Sequence, residues 1–354
     1  MMLFLAHEPN AENERDGMSQ RIKWIDEQFR DVPRVILHIS LKRNMRRRRF
    51  IRSSVLAVEE VNLFIHFPRI LYLALRSDIV YVHSCLYALR GLPLYFLGLR
   101  IITDMHGIVP EEQRIVGKSW LSRVLLFRVL SVIEIIVVKR SAVLVFVTNA
   151  MRIHFKEKYS LGDDANTYII PILTREAPLA RLSFKDPTLV IYAGGLQAWQ
   201  RVDKMLDVVE HAKGWFRYLF LTGDADNLSK ELNRRGITKV QVDSVPKSIM
   251  YEHYERASLG LILRADSLIN RVACPTKLVE YLWSGIIPIV EQPFIGDFKE
   301  MGYKYILMDD FVKGQLPGAA ELDNMRERNH QIARELEKLS VAEITCMRER
   351  YIET

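Results

Sequence analysis

The sequence predicts an α/β protein made of two doubly wound halves, each built on a parallel sheet. Three observations predict it. Short apolar runs alternate with helix-like segments along most of the chain. The alternation halts in a stretch rich in proline and charge at 171–187 and then restarts. Glycines sit in the loops that leave several apolar runs, as Gly17, Gly194, Gly195 and Gly223 do. With 354 residues the chain has room for two domains of ordinary size. Their bounds are placed at 1–173 and 174–330, with a C-terminal helix at 331–354 expected to pack back toward the first half. Two such halves imply a nucleotide site in the cleft between them.

In the first half, residues 1–7 read as a strand. A polar loop ends at Gly17, and an amphipathic helix follows with Ile22, Ile25 and Phe29 on one face. Gly17 is either a plain turn or part of a substrate-contacting loop, and no G-x-G-x-x-G fingerprint accompanies it. Residues 34–40 read as the second strand and 61–66 as a short one, with a helix over 68–76. Strands are expected at 78–83 and 100–104, separated by an interrupted apolar helix at 86–99. A long helix spans 120–138, and a buried strand at 142–148 precedes another helix. In the second half, strands are expected at 188–193, 217–223, 236–242, 259–263 and 286–290, with helices at 202–212 and 250–257. The chain closes on a charged helix over 324–351.

About half the residues are apolar, so a sizeable core is available. The formal charge of +7 favours an anionic partner. Three scattered cysteines, Cys85, Cys274 and Cys346, form no disulfide framework, which points to a reducing, cytoplasmic setting. Residues 1–6 are too short for a signal-peptide core, and no charge-free stretch of spanning length occurs. Seven basic residues lie between Lys42 and Arg52 with no acid among them, including the run Arg46–Arg49. An anionic lipid surface ranks first for this run, a solvated loop second and nucleic acid third, because no nucleic-acid motif surrounds it. The basic, apolar helix 120–138 is a second candidate for a bilayer surface, or else an ordinary core-packing helix.

Residues 264–285 carry the densest chemistry. Pro275 suits the start of a helix and Gly285 its end. The helix would open at the C-terminal edge of the strand before it, where its unpaired N–H groups suit a phosphate. Lys277 adds a cation there, Arg264 and Arg271 stand in the approaching loop, and Glu280 one turn in can accept from a ribose. The alternative is a helix with Lys277 and Glu280 on a solvated face. At the end of the strand 100–104, Asp104, His106, Glu111 and Glu112 gather where such sheets bind ligands. No second His or Cys stands at ligand spacing, so no metal is expected.

Four segments in order, D-G-M-S-Q-R at 16–21, D-M-H-G-I-V-P-E-E at 104–112, Y-A-G-G-L-Q-A-W-Q-R-V-D at 192–203 and P-T-K-L-V-E-Y-L-W-S-G at 275–285, resemble the GT-B glycosyltransferases of family 4. The branch resembled is that of bacterial capsule and O-antigen assembly. The resemblance covers nearly the whole chain. It implies a retaining, hexosyltransferase-type transfer from a UDP- or GDP-sugar to a glycan or lipid-linked acceptor, without metal. The nucleotide would lie on the second half and the acceptor on the first, at the inner face of the membrane. His106, Arg201 and Lys277 take the catalytic positions. Gly17, Gly194, Gly195, Gly223, Arg264, Pro275, Thr276, Leu278 and Glu280 take the donor contacts, with Asp104 and Glu111 toward the acceptor. Glu280 matches the second glutamate of the family's paired motif, and Val272 stands where the first would be. Gly195 and Gln200 replace the usual Arg and Lys, which leaves the phosphate charge to Arg201, Lys277, Arg264 or Arg271. A sugar-nucleotide epimerase and a non-catalytic scaffold of a polysaccharide assembly complex are the rival readings.

Overall fold

The computed structural model describes the chain except residues 11–12, 14–15, 117–119, 163–164, 174–184, 198–199 and 353–354, so most of the expected linker at 171–187 lies outside the described residues. The chain divides into two compact units. One comprises Met1–Pro171 with Leu339–Thr354, and the other Ile172–Lys338.

Unit 1 contains β1 (Met2–Leu5), α1 (Gly17–Gln28), β2 (Arg34–Ser40), β3 (Arg48–Ile51), β4 (Leu56–Asn62), α2 (Phe67–Leu75), β5 (Ile79–His83), α3 (Ser84–Arg90), β6 (Ile101–Met105), α4 (Val109–Val116), α5 (Trp120–Arg140), β7 (Val143–Phe146), α6 (Asn149–Tyr159) and β8 (Thr167–Ile169). Its eight strands lie in the order β3-β4-β2-β1-β5-β6-β7-β8. Every pairing is parallel except β3 with β4. The order reverses at β1 and β5, which makes the carboxyl ends of those two strands the switch point where such sheets bind ligands. All residues of β1, β5, β6 and β7 are buried, so both faces of the central sheet are covered. Phe4, Ile25, Phe29, Tyr81, Val82, Ile102 and Phe146 are among the buried core.

Unit 2 contains β9 (Asp186–Ala193), α7 (Val202–His211), β10 (Arg217–Leu221), α8 (Ala225–Arg235), β11 (Val240–Asp243), α9 (Lys247–Arg256), β12 (Ala257–Ile262), α10 (Leu268–Val272), α11 (Thr276–Trp283), β13 (Ile287–Val290), β14 (Ile306–Leu307) and α12 (Met308–Lys313). Its six strands are all parallel in the order β11-β10-β9-β12-β13-β14. Numbered within the unit this is 3-2-1-4-5-6, the order of dinucleotide-binding sheets, with its switch point between β9 and β12. The last helix, α13 (Ala319–Tyr351), is continuous from unit 2 into unit 1.

Several expectations are corrected. The strand expected at 61–66 is β4, which ends at Asn62. Its buried Glu59 and part-buried Glu60 broke the apolar pattern, and both meet arginines, with Arg69 at 2.5 Å and Arg49 at 3.5 Å from Glu59 and Arg48 at 4.0 Å from Glu60. The basic run is not wholly a loop, since its second part forms the exposed edge strand β3. Arginine-rich edges of this kind discourage pairing with another chain. Residues 109–112 begin α4 rather than continuing a loop, and Leu92–Phe96 form a 3-10 turn after α3. The polar α8 escaped notice because it buries only Leu228 and Leu232. α13 starts at Ala319 rather than at 324, its early turns being as polar as a loop. α5 buries Leu130, Ile133, Val137 and Val138 while exposing Leu125, Val129, Val132 and Ile135 beside Arg128. No described helix is long and apolar enough to cross a membrane.

Gly260 in β12 shows how tightly unit 2 is built. A Cβ there would lie 2.3 Å from the Tyr281 ring and 2.9 Å from Ile286. The Tyr281 hydroxyl reaches across to β9, where it accepts from Ala193 N–H at 3.2 Å and donates to the Ile191 carbonyl at 3.3 Å. Gly260→Ala is therefore expected to lower stability by about 1–3 kcal/mol, through overpacking. Urea unfolding followed by circular dichroism measures it, and an unchanged midpoint would contradict this packing.

Candidate active site

In unit 1 the polar groups converge on Asp104, at the carboxyl end of β6 and fully buried. Arg21, on the second turn of α1, is also fully buried. It donates from Nε to Asp104 Oδ2 at 3.0 Å, from Nη2 to Oδ1 at 3.1 Å and from Nη1 to the Pro171 carbonyl at 2.8 Å. Tyr81 on β5 donates to Asp104 Oδ2 at 3.0 Å, and His106 Nε2 lies 3.2 Å from the same oxygen. Burial alone would raise the Asp104 pKa, but the Arg21 charge beside it holds it far below the usual carboxylate range. The parallel register sets His83 beside Asp104, and burial keeps that imidazole neutral.

His83, Asp104 and His106 thus bring ligand-type atoms within 4.8 Å of one another. The sequence-based exclusion of a metal overlooked His83, because parallel strands join residues far apart in the chain. Both Asp104 oxygens already accept from Arg21, so a cation would compete there with a buried guanidinium. The next residue after β5, Ser84, has φ +68°. That is an uncommon conformation for a side chain with a Cβ, and it lies at the switch point. At the end of β1, His7 bonds Ser19 at 2.6 Å and Tyr87 at 2.5 Å. Gly17 is the first residue of α1, capped by Asp16, whose carboxylate accepts from Ser19 N–H. Glu111 stands apart from Asp104, tied to Lys158 at 2.7 Å, which also holds Glu134 at 2.6 Å.

In unit 2 the loops after β9 and β12, neighbours in the sheet, carry Gly194, Gly195 and Arg264. A Cβ at Gly194 would lie 2.7 Å from the Tyr192 hydroxyl, which bonds the Gly195 carbonyl at 2.5 Å. The loop is held by its own tyrosine, whose hydroxyl a side chain at 194 would have to displace. Arg264 donates to Asn270 at 2.8 Å, and burial brings its guanidinium down to about 10, still charged at neutral pH. Pro275 caps α11, so the N–H groups of Thr276 and Lys277 face out of its first turn, while Leu278 N–H bonds the Pro275 carbonyl at 2.9 Å. Glu280 is fully buried. Its Oε2 accepts from the Tyr254 hydroxyl at 3.0 Å and Lys277 Nζ at 3.4 Å, and its buried Oε1 has no partner among the described residues. A solvated face is therefore the wrong description of Glu280.

The remaining cations are engaged. Arg201, at φ +53°, lies 3.1 Å from Glu291, which Lys204 also meets at 2.6 Å. Arg271 is exposed and paired with Asp266 at 2.7 Å. Gly223 is an exposed turn after β10. Val272 is buried in α10. Sequence reasoning missed Tyr81, His83, Tyr254, Asn270 and Glu291. Of these His83, at the end of a predicted strand, Glu291, just past another, and Asn270, inside the 264–285 segment, left a positional signal.

The Arg21–Asp104 pair generates a stability prediction. Asp104→Asn leaves a buried guanidinium unmatched and is expected to cost about 3–5 kcal/mol in urea unfolding. Because the folded pKa of Asp104 lies below its unfolded value, the pair's contribution is complete above about pH 4 and is lost as pH falls through the folded pKa. Stability curves of the wild type and of the Asp104→Asn variant should therefore stay parallel from about pH 7 to about 5 and converge in stronger acid.

Sequence comparison finds no matching family model and no matching curated protein. Solved structures do match over the full length. Sucrose-phosphate synthase from Thermosynechococcus elongatus has a TM-score of 0.72 at 10% identity, covering 100% of this chain and 99% of that one. Anabaena HepE, in complex with UDP and glucose, has 0.70 at 12%, covering 98% and 99%. The UDP-forming α,α-trehalose-phosphate synthase from Burkholderia vietnamiensis has 0.65 at 12%, covering 98% and 97%. With two Rossmann-like parallel sheets in one chain and full-length matches of this kind, the fold is that of the GT-B glycosyltransferases.

Proposed function

We propose that this chain is a glycosyltransferase that moves a hexosyl group from a UDP- or GDP-sugar to a glycan or lipid-linked acceptor. The observation that carries the reading is Glu280: a buried carboxylate with one oxygen fixed by Tyr254 and Lys277 and the other unpartnered, beside the outward N–H groups of α11. A ribose hydroxyl suits the open oxygen, and a diphosphate suits the helix end with Lys277 and Arg264. UDP in the HepE structure, at the same fold, supports the choice of nucleotide.

In this reading the bond from the sugar's C1 to the β-phosphate oxygen breaks and a bond from C1 to the acceptor oxygen forms. The acceptor's proton passes to the departing phosphate, on the same face, which retains configuration. Lys277, Arg264 and the N–H groups of Thr276 and Lys277 meet the charge that develops on the leaving group. Arg201 joins them on exchanging Glu291 for phosphate. Gly194 and Gly195 let the backbone approach, with Gly223 at the next strand end, and Pro275 and Leu278 shape the helix start. In unit 1, Asp104 orients His106 toward the sugar or acceptor, and Gly17 and Glu111 border the acceptor. The diphosphate charge is matched by side chains, so the proposal includes no metal. Membership of family 4, a role in capsule or O-antigen assembly, and a cytoplasmic site at the inner membrane face, with Arg46–Arg49 and α5 toward anionic lipid, belong to the same proposal.

A second reading, nucleotide-sugar binding without transfer, is favoured by Val272. An apolar, buried residue stands there where the family's pattern has a donor-facing glutamate.

A melting-temperature panel with UDP, GDP, ADP and CMP, in EDTA and in Mg²⁺, tests the proposal. One diphosphate should stabilise the protein by about 2.7 kcal/mol at a hundredfold excess over its Kd, regardless of metal. Glu280→Ala should abolish the shift. Tyr254→Phe should weaken binding about tenfold, through loss of a hydrogen bond to a charged acceptor. No response to any nucleotide overturns the proposal, and binding without product from sugar nucleotide plus acceptor selects the second reading.

A further inference from the structure

Unit 1 carries a second surface, away from Asp104, at the carboxyl ends of β2 and β4. Two short loops meet there, residues 41–47 and 63–66. The buried side chain of Asn62 holds them together. Its Nδ2 donates to the carbonyls of Leu41 at 3.3 Å and Arg43 at 2.9 Å, and its Oδ1 accepts from the N–H groups of Phe64 at 3.0 Å and Ile65 at 3.3 Å. A single amide therefore fixes the backbone of both loops. What the loops present is apolar: Phe64 is 74% exposed, Met45 64%, Ile65 51% and Leu41 41%. Ordered, outward apolar tips are the opposite of what the hydrophobic effect does to a free surface.

Charge is sorted around these tips. Arg48 and Arg49 are paired with Glu60 and Glu59 of the adjoining strand. Lys42, Arg43, Arg46 and Arg47 are exposed and form no ion pair among the described residues. The cations that share the 41–47 loop with Leu41 and Met45 are thus the ones without carboxylates. Exposed apolar side chains with unmatched cations on the adjoining loop match one layered environment, an anionic bilayer, in which phosphates lie above hydrocarbon. A folded acidic protein would match the charge but would present no hydrocarbon layer to Phe64 and Ile65.

We propose that this double loop docks the chain on an anionic lipid bilayer. Phe64, Ile65 and Met45 enter the boundary between headgroups and acyl chains, while Lys42, Arg43, Arg46 and Arg47 meet lipid phosphates. The inference rests on the membrane-surface reading above and narrows it to these residues. Asn62 sets the geometry without touching lipid.

The test is co-sedimentation of the full chain with phosphatidylcholine vesicles, with and without phosphatidylglycerol, at low and high salt. Binding is expected only with phosphatidylglycerol, and weaker in salt. The double variant Arg46→Gln/Arg47→Gln should bind about twenty-fivefold more weakly, or about fivefold per charge. Phe64→Ser/Ile65→Ser should lose about tenfold or more while keeping its salt dependence. Both variants alter exposed side chains, so each should keep the wild-type melting temperature and its nucleoside-diphosphate-induced shift. Equal binding to neutral and anionic vesicles overturns the proposal, as does wild-type affinity in either double variant. Polyuridylate binding that is lost in Arg46→Gln/Arg47→Gln, with no vesicle binding, assigns the surface to nucleic acid and overturns it too. Vesicle binding without any nucleotide shift leaves the docking surface intact and removes only the transferase reading.

Discussion

The buried pair of Arg21 and Asp104 is the constraint on which unit 1 depends. One guanidinium joins three parts of the chain: the second turn of α1, the end of β6 and the carbonyl of Pro171 at the unit's edge. Taking both charges out of water is tolerable because the two groups meet edge to edge through two hydrogen bonds, with Tyr81 adding a further donor. The pair also decides what the carboxyl edge can do. Asp104 stays ionised, so it can orient His106, and with both oxygens engaged it has little left to offer a metal.

Unit 2 solves a comparable problem with a different residue. Its carboxylate, Glu280, is buried without a matching bidentate partner and keeps one oxygen unpartnered among the described residues. That arrangement is costly in isolation, and a bound hydroxyl would relieve it. The surrounding architecture tolerates the cost because α11 is anchored from below. Tyr281, the next residue, crosses to the β9 backbone over Gly260 and fixes the helix on which Glu280 stands. Unit 1 therefore engages both oxygens of its buried carboxylate, whereas unit 2 leaves one oxygen open.

Much of this was legible in the sequence. Interior strands such as β2 and β12 are apolar runs bounded by polar loops, and their reading needed no partner. The helix start at Pro275 and the placement of Glu280 followed from local rules of chain conformation. Elements whose apolar pattern is broken by function or pairing were harder. β4 carries two glutamates because arginines wait on β3 and α2, and α8 is polar on most of its surface. The partners of the site residues were hidden for a different reason. His83 and Asp104 lie on separate strands and become neighbours only through register, while Tyr254 reaches Glu280 from another helix. Such adjacency is a property of topology and has no signature in spacing.

The composition of unit 1 from two separated stretches of chain has a consequence for how the protein is made. Arg348, late in α13, donates to Asp31 and to the Gln28 carbonyl, and its guanidinium lies over the Phe29 ring. Glu343 accepts from Ile169 N–H. Residues made early thus wait for residues made some 317 positions later. A domain that is complete when it leaves the ribosome can fold during translation. This one emerges with the seat for α13 uncovered, and it stays so while the whole of unit 2 is translated. Unit 2 is thus complete in sequence at residue 338, whereas the earlier-made unit is complete only when the end of α13 arrives.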